Sequence, residues 1–205
     1  MQPTRAWGVS SDSLTGQVRR AQIVDAAIAV LAETGFAAAS LAAVADRVGI
    51  SKGVISYHFA GKDDLLSEVV RTVLRRATEW MTPRIESAES YADAVHAYIR
   101  SNVEFLHDHP RDIAALTEVL ANARATPGVD QIFRTSHEDA IAALAALLDA
   151  GIAAGEFVAI PARTAAISLR AAIDAASTGI RLDHDFDVVA FGADLAELWD
   201  RTLGL

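Results

Sequence analysis

The sequence predicts an all-α protein of about nine helices, on three observations. Forty-two of the 205 residues are alanine, whereas glycine and proline supply only 12 and 5. Alanine is the strongest helix former and proline the weakest, so the composition favours helix over every other state. Apolar residues also recur at three- and four-residue spacing through most of the chain, the period of one helical face. Hydrophobic residues make up 52% and charged residues 22%, which supplies a packed core and excludes a disordered chain. Cysteine is absent. That excludes a disulfide scaffold, a thiolate zinc site and a cysteine nucleophile, and it suits a reducing cytoplasm.

Residues 1–14 are polar and aperiodic and read as a flexible arm without the apolar region of a signal peptide. In residues 16–34 the positions Ile23, Ala26, Ala27, Val30 and Leu31 form one apolar face, and Gly35 follows as a stop. Ser40 caps a short helix over 41–48, Gly49 ends it, and Ser51 caps another over 52–58. A longer helix runs from Lys62 to about Trp80 or Met81, with Asp63 and Asp64 at its positive end. Thr82-Pro83 marks its end or a kink within it. Helices follow over 90–107, with Val95, Ile99, Val103 and Leu106 inward, and over 111–122. Thr126-Pro127-Gly128 breaks the chain before a helix over 129–154. Pro161 opens a helix over 161–182, Asp183-His184-Asp185 turns, and the last helix covers 188–203. The most apolar stretch, 140–155, is interrupted by Asp149 and falls short of the ~20 residues of a membrane span, so no membrane partner is expected.

The formal net charge is −9, yet it is unevenly placed. Residues 1–62 carry six Lys/Arg against four Asp/Glu, and residues 63–205 carry 12 against 23. A slightly basic N-terminal third on an acidic remainder suits a small module that meets an anion, carried by a body that does not.

Residues 41–59, LAAVADRVGISKGVISYHF, have the requirements of a helix-turn-helix. Two short helices crossing steeply need a small residue at the crossing, and Ala45 supplies it. The turn needs a residue that tolerates positive φ, and Gly49 lies four positions on. Val44, Val48, Ile50 and Ile55 then lock the pair. The second helix is left with an outer face of Lys52, Gly53, Ser56, Tyr57 and His58, small or hydrogen-bonding groups able to approach DNA.

Ala45, Gly49, Ile50, Ser51, Gly53, Tyr57, His58, Phe59, Lys62 and Leu65 stand in a pattern that resembles the TetR family of bacterial transcriptional regulators. Thr34-Gly35-Phe36 and Ser40-Leu41 resemble the end of that family's first helix and the start of its second. The resemblance covers about residues 16–80. It implies a three-helix DNA-binding domain over 15–62, a connecting helix over 63–82, and an effector-binding and dimerisation domain over 83–205. It further implies a repressor that binds a palindromic operator in double-stranded DNA as a homodimer and is released by a small-molecule effector.

On that reading 52–58 is the recognition helix. Lys52 and the N–H groups at its start face phosphate or a guanine edge, and Gly53 lets the backbone come close. Ser51 opens the helix, Val54 and Ser56 meet a thymine methyl or a base edge, and Tyr57 and His58 meet phosphates. Lys62 and Ser40 clamp further phosphates at their helix starts, as does Arg19 or Arg20. Arg47 is either a phosphate contact or solvated, and Phe59 belongs to the core. The expected effector cavity takes Trp80, Phe105, Leu116, Leu120 and Phe133 as apolar wall, with Leu169 and Ile173. His137 and Asp174 are its polar anchors. Such a cavity suits a small apolar or amphipathic effector, and the acidic body disfavours an anionic one. The dimer surface is expected from the last two helices, with Ala172, Ala176 and Gly179 allowing close approach and Leu195, Leu198 and Trp199 as anchors.

Other chemistry is weakly supported. His107-x-His109 beside Asp108 and Asp112 does not place two imidazoles on one helical face, and Asp183 to Asp187 lacks an EF-hand loop. No GxSxG, P-loop, HExxH or GxGxxG occurs. No cofactor, no metal and no enzymatic activity are expected. The competing readings are a helical regulator whose head has been turned to protein partners and, more distantly, an enzyme with an unrecognised site.

Overall fold

A computed structural model describes residues 14–122, 126, 128–183 and 185–205. Residues 1–13, most of the expected arm, and Pro127 and His184, each placed in an expected turn, lie outside the described residues. The described residues form nine helices and no strand: α1 Leu14–Ala38, α2 Leu41–Val48, α3 Lys52–His58, α4 Lys62–Glu86, α5 Tyr91–Asp108, α6 Pro110–Ala121, α7 Val129–Ala153, α8 Ala162–Leu182 and α9 Val188–Leu203.

Four local details differ from the sequence reading. Leu14, expected in the arm, opens α1. Gly35 does interrupt α1, with φ 75° and ψ 174°, but a further helical turn follows to Ala38. α4 does not stop at Pro83; it carries the proline inside and ends at Glu86. The fixed φ of proline is compatible with helix, and its cost is the absent N–H. Pro161 sits just before α8 rather than in its first turn.

Two apolar cores hold the nine helices. The first joins α1, α2, α3 and the N-terminal half of α4 around Ile23, Leu31, Val44, Ile55, Phe59 and Val69. Ala115 and Val119 of α6, and Val129 at the start of α7, belong to this same core. The second joins α5, α7, α8 and α9 around Ile99, Leu148, Leu169, Ile173, Trp199 and Leu203. Full burial of one such side chain is worth roughly 1.5–3 kcal/mol, so each core outweighs any single ion pair on its surface.

By length and composition α1 is the one helix among the described residues long and apolar enough to cross a membrane. In the fold its apolar face, Ile23, Ala27, Val30 and Leu31, is the floor of the first core, packed against α2, α4 and α6.

Polar ties fix the relative placement of the helices. Arg76 of α4 donates to both carboxylate oxygens of Asp112 on α6, at 3.1 and 3.2 Å, and also pairs with Asp25 on α1. Burial works against the charge of Arg76, but the hydrogen bonds and proximity of Asp25 and Asp112 hold it above the usual arginine range. His96 of α5 meets Asp200 of α9 at 2.5 Å.

Gly151 is required by packing rather than by φ. A Cβ placed there would lie 2.1 Å from the ring of Phe157, which the chain folds back onto α7. Gly151→Ala is therefore expected to destabilise the protein by about 1–3 kcal/mol, an overpacking cost. Urea unfolding monitored by circular dichroism tests this, and an unchanged midpoint would show that Phe157 moves aside freely.

Candidate nucleic-acid interface and internal cavity

The turn between α2 and α3 is set by its caps. Ser40 has extended backbone, and its Oγ accepts from the N–H of Ala43 at 3.1 Å. At the other end Gly49 is left-handed, φ 73° and ψ 36°. The N–H of Ile50 donates to the carbonyl of Ala45 at 3.0 Å and that of Gly49 to Asp46 at 3.2 Å. This pair of bonds is a Schellman closure. A residue with a Cβ at Gly49 would cost roughly 1–2 kcal/mol. Ser51 has extended backbone but makes no side-chain cap, contrary to the sequence reading; its carbonyl instead receives the N–H of Val54 at 3.0 Å.

α3 is pinned from below by buried Ile55 and by Phe59, which follows its last turn in the core, as expected. Its outer face presents Lys52, Gly53, Val54, Ser56 and Tyr57, all exposed, with Tyr57 58% accessible. His58 is half-buried, its ring edge-on to Tyr57 at 5.1 Å between centroids. Burial lowers its pKa, and Arg20 and Arg19 lower it further, so the neutral ring is favoured.

Three of the head's cations already have partners. Arg20 donates to the carbonyl of His58 at 2.6 Å and to Glu68 at 3.1 Å, with its guanidinium 4.2 Å above the Phe59 ring. It therefore ties the end of α3 to α1 and α4. Lys62 donates to the carbonyl of Phe36 at 2.9 Å and sits 4.4 Å over the Phe36 ring. Arg47 is ion-paired with Glu33. Among the described residues no ion pair engages Lys52 or Arg19.

A cavity of about 820 Å³ lies between α4, α5, α6, α7 and α8. Phe105, Leu116, Leu120, Phe133, His137, Ile173 and Asp174 line it, as the sequence predicts. Two expected wall residues do not. Leu169 is fully buried in the second core. Trp80 is turned toward His109, 5.0 Å away edge-on, with Arg84 at 3.9 Å over its face. The sequence reading missed Arg170, Tyr98 and Asn102, the polar core of the wall. Arg170 donates to Asp174 at 2.7 and 3.1 Å, to Asn102 at 3.0 Å and to Tyr98 at 3.3 Å. Burial opposes its charge, and Tyr98 and Asp174 more than offset that, holding it above the usual arginine range. The signal was present as two four-residue spacings, Tyr98 with Asn102 and Arg170 with Asp174, each placing a pair on one helical face.

Of the residues expected at a dimer surface, Ala176, Leu195 and Trp199 are buried in the chain's own second core. They have little surface left for a partner. Ala172 and Gly179 are half-buried, and Gly179 faces the ring of Phe186. Leu198 is 59% exposed.

A capped, glycine-turned helix pair with an open second helix, mounted on a helical body, defines a helix-turn-helix protein. The family model described as bacterial regulatory proteins, tetR family, matches residues 23–69, so this head is similar to that of the TetR family. It is 33% identical over 89 residues to the HTH-type transcriptional regulator BetI of Vibrio atlanticus, covering 42% of this chain and 44% of that protein. With BetI of Paraburkholderia phytofirmans it is 40% identical over 74 residues, 36% of this chain and 38% of the other. The matched span is thus less than half the length of these curated relatives. The whole fold is similar to that of a regulator from Pseudomonas aeruginosa, with TM-score 0.81 and 23% identity over 94% of this chain and 93% of that one. It is also similar to a regulator from Saccharomonospora viridis in complex with choline, with TM-score 0.83 and 17% identity over 91% and 98%.

Lys62→Met is expected to lower the unfolding free energy by about 1–2 kcal/mol through loss of the Phe36 hydrogen bond and cation–π contact. Denaturant titration reads it; no loss of stability would leave Lys62 available to other partners.

Proposed function

We propose that the protein is a cytoplasmic ligand-responsive transcriptional regulator, a repressor that binds a palindromic operator in double-stranded DNA as a homodimer. Residues 15–62 act as the DNA-binding head, 63–82 as connecting helix and 83–205 as the effector and dimer unit. The observation that carries this is the outer face of α3. It is rigidly mounted from below, yet open and uncharged except for one unpaired cation, Lys52. Such a face suits a major groove, where Lys52 meets a guanine edge or phosphate and Val54 and Ser56 read neighbouring bases. Gly53 permits close approach, Tyr57 and neutral His58 donate to phosphate, and the capped start of α2 at Ser40 adds backbone N–H groups. Ser51 holds the entry to α3. Lys62 and Arg47 act on this reading by bracing the head, each through its present partner.

The cavity is the effector site. α6 faces it with Leu116 and Leu120, while Ala115 and Val119 of the same helix lie in the head's core. Glu118, also on α6, accepts the N–H of Phe36 at the end of α1, at 3.0 Å. A ligand that displaces α6 therefore displaces the head, and a ligand preferring one head position shifts the equilibrium away from DNA. The volume is within the range of drug-sized ligands, roughly 300–1,000 Å³. It far exceeds what choline, bound in one structural neighbour, needs, so a larger apolar or amphipathic effector is favoured.

The dimer forms through the outer faces of α8 and α9. Ile167, Ala171, Ala175, Thr178 and Leu182 make one exposed uncharged stripe along α8, and α9 adds exposed apolar groups on its two flanks, Val189 and Ala193 on one and Leu198 on the other. Small residues there let helices of two copies approach closely, and the twofold axis matches a palindrome.

Two measurements test this reading. Fluorescence titration against the duplex just upstream of the protein's own gene, at two salt concentrations, is expected to give salt-sensitive binding ~10³-fold tighter than to a scrambled duplex. Tyr57→Ala should weaken all sequences alike, whereas Lys52→Ala or Ser56→Ala should change the preferred base. Binding no tighter than to the scrambled duplex, there or in a genome-wide selection of bound fragments, overturns the assignment. Ala175→Glu is expected to convert the dimer to monomer in analytical ultracentrifugation, and an unchanged mass would place the interface elsewhere.

A further inference from the structure

The chemistry of the cavity wall narrows the effector class, an inference that rests on the regulator reading above. The wall is segregated. α4 and α6 contribute aliphatic groups, among them Leu74, Met81, Ile85, Leu116 and Leu120. Thr78, Thr82 and Thr117 are the polar groups on that side, and the charged and amide groups stand opposite, with Tyr98 and Asn102 on α5, Ser136, His137 and Asp139 on α7, and Arg170, Asp174 and Ser177 on α8.

Tyr98, Asn102, Arg170 and Asp174 satisfy one another. Asp174 Oδ1 accepts from both Arg170 Nε and Nη2, and Arg170 Nη1 donates to Asn102 Oδ1 and Tyr98 Oη. Asp174 Oδ2 and His137 Nδ1 lie outside this network. Asp174 Oδ2 has His137 Nδ1 at 3.7 Å, which is an ion-pair distance and too long for a hydrogen bond. With the Nδ1–H tautomer facing the carboxylate, the wall offers one donor and one acceptor side by side, both half-buried.

An oxygen at ordinary hydrogen-bond distance from each, ~2.8 Å, closes a triangle on that base. It must donate to Asp174 and accept from His137. A hydroxyl does both; a carboxylate only accepts and an ammonium only donates. A carboxylate would also face the charge of Asp174 and find four of the five N–H groups of Arg170 engaged. We propose that the cavity takes an uncharged amphiphile whose hydroxyl seats between His137 and Asp174 while its aliphatic body lies against α4 and α6.

Isothermal titration calorimetry of the whole protein with four probes of equal chain length tests this: decanol, decyl methyl ether, decanoate and decylamine. The ether keeps the acceptor and loses the donor. Decanol is expected to bind about tenfold tighter than the ether, and at least that much tighter than decanoate or decylamine. His137→Phe keeps the ring stacked on Phe133, 5.7 Å away, and removes Nδ1. It is expected to weaken decanol and the ether alike by about tenfold while leaving decylamine unchanged, with thermal melting confirming the fold. The proposal is overturned if decanoate or decylamine binds tightest, if decanol and ether bind equally, if His137→Phe leaves decanol unaffected, or if no probe binds. The upstream-DNA titration run beside it separates the two readings. DNA binding without any probe binding sinks the hydroxyl subsite alone, and decanol binding as expected without preferred DNA sinks the regulator reading alone.

Discussion

α6 cannot satisfy one side without constraining the other. Ala115 and Val119 are fully buried against the head, and one position along the same helix Leu116 and Leu120 border open space. The first contact is close-packed and resists sliding; the second has slack. Glu118 and Asp112 add hydrogen bonds to α1 and α4 from the same short helix. Twelve residues thus join the two cores, and the remaining helices are arranged around that junction. The head is held to α6 more firmly than α6 is held to the far wall of the cavity.

The head's electrostatics follow a similar economy. Arg20, Lys62 and Arg47 are each engaged within the chain, by Glu68 and a carbonyl, by a carbonyl and a ring, and by Glu33. Their charge still contributes to the local potential, but their geometry is fixed by the fold. A chain of net charge −9 presenting few free cations has little nonspecific attraction to polyanions. On the proposed reading, discrimination between sequences falls to the exposed face of α3.

Most of the fold was legible from period and punctuation. The faces of α1 and α5, the limits of α2 and α3, and the left-handed turn at Gly49 all follow from local rules that tertiary structure did not override. What escaped was non-local. Nothing in the neighbourhood of Lys62 or Arg20 says that a carbonyl of another helix will claim it. Trp80 and Leu169 have the size and period of wall residues, and only the rotation of their helices directs them elsewhere. Ala176, Leu195 and Trp199 show the same limit, since a helical face turned inward and one turned to a second copy have the same composition. Arg170 escaped because a charged residue amid alanines reads as solvated until its three partners are brought to it.

Pro83 has a mechanical consequence. Without an N–H at that position, the carbonyl four residues back, that of Glu79, loses its place in the helical ladder. The gap falls beyond the half of α4 built into the head, within the stretch from Val73 to Ile85 that borders the cavity. A rod with one missing rung bends there before it bends anywhere else. α4 is accordingly a lever with a stiff arm in the head and a compliant joint beside the cavity, so its flexure is concentrated at the point where an occupant would press.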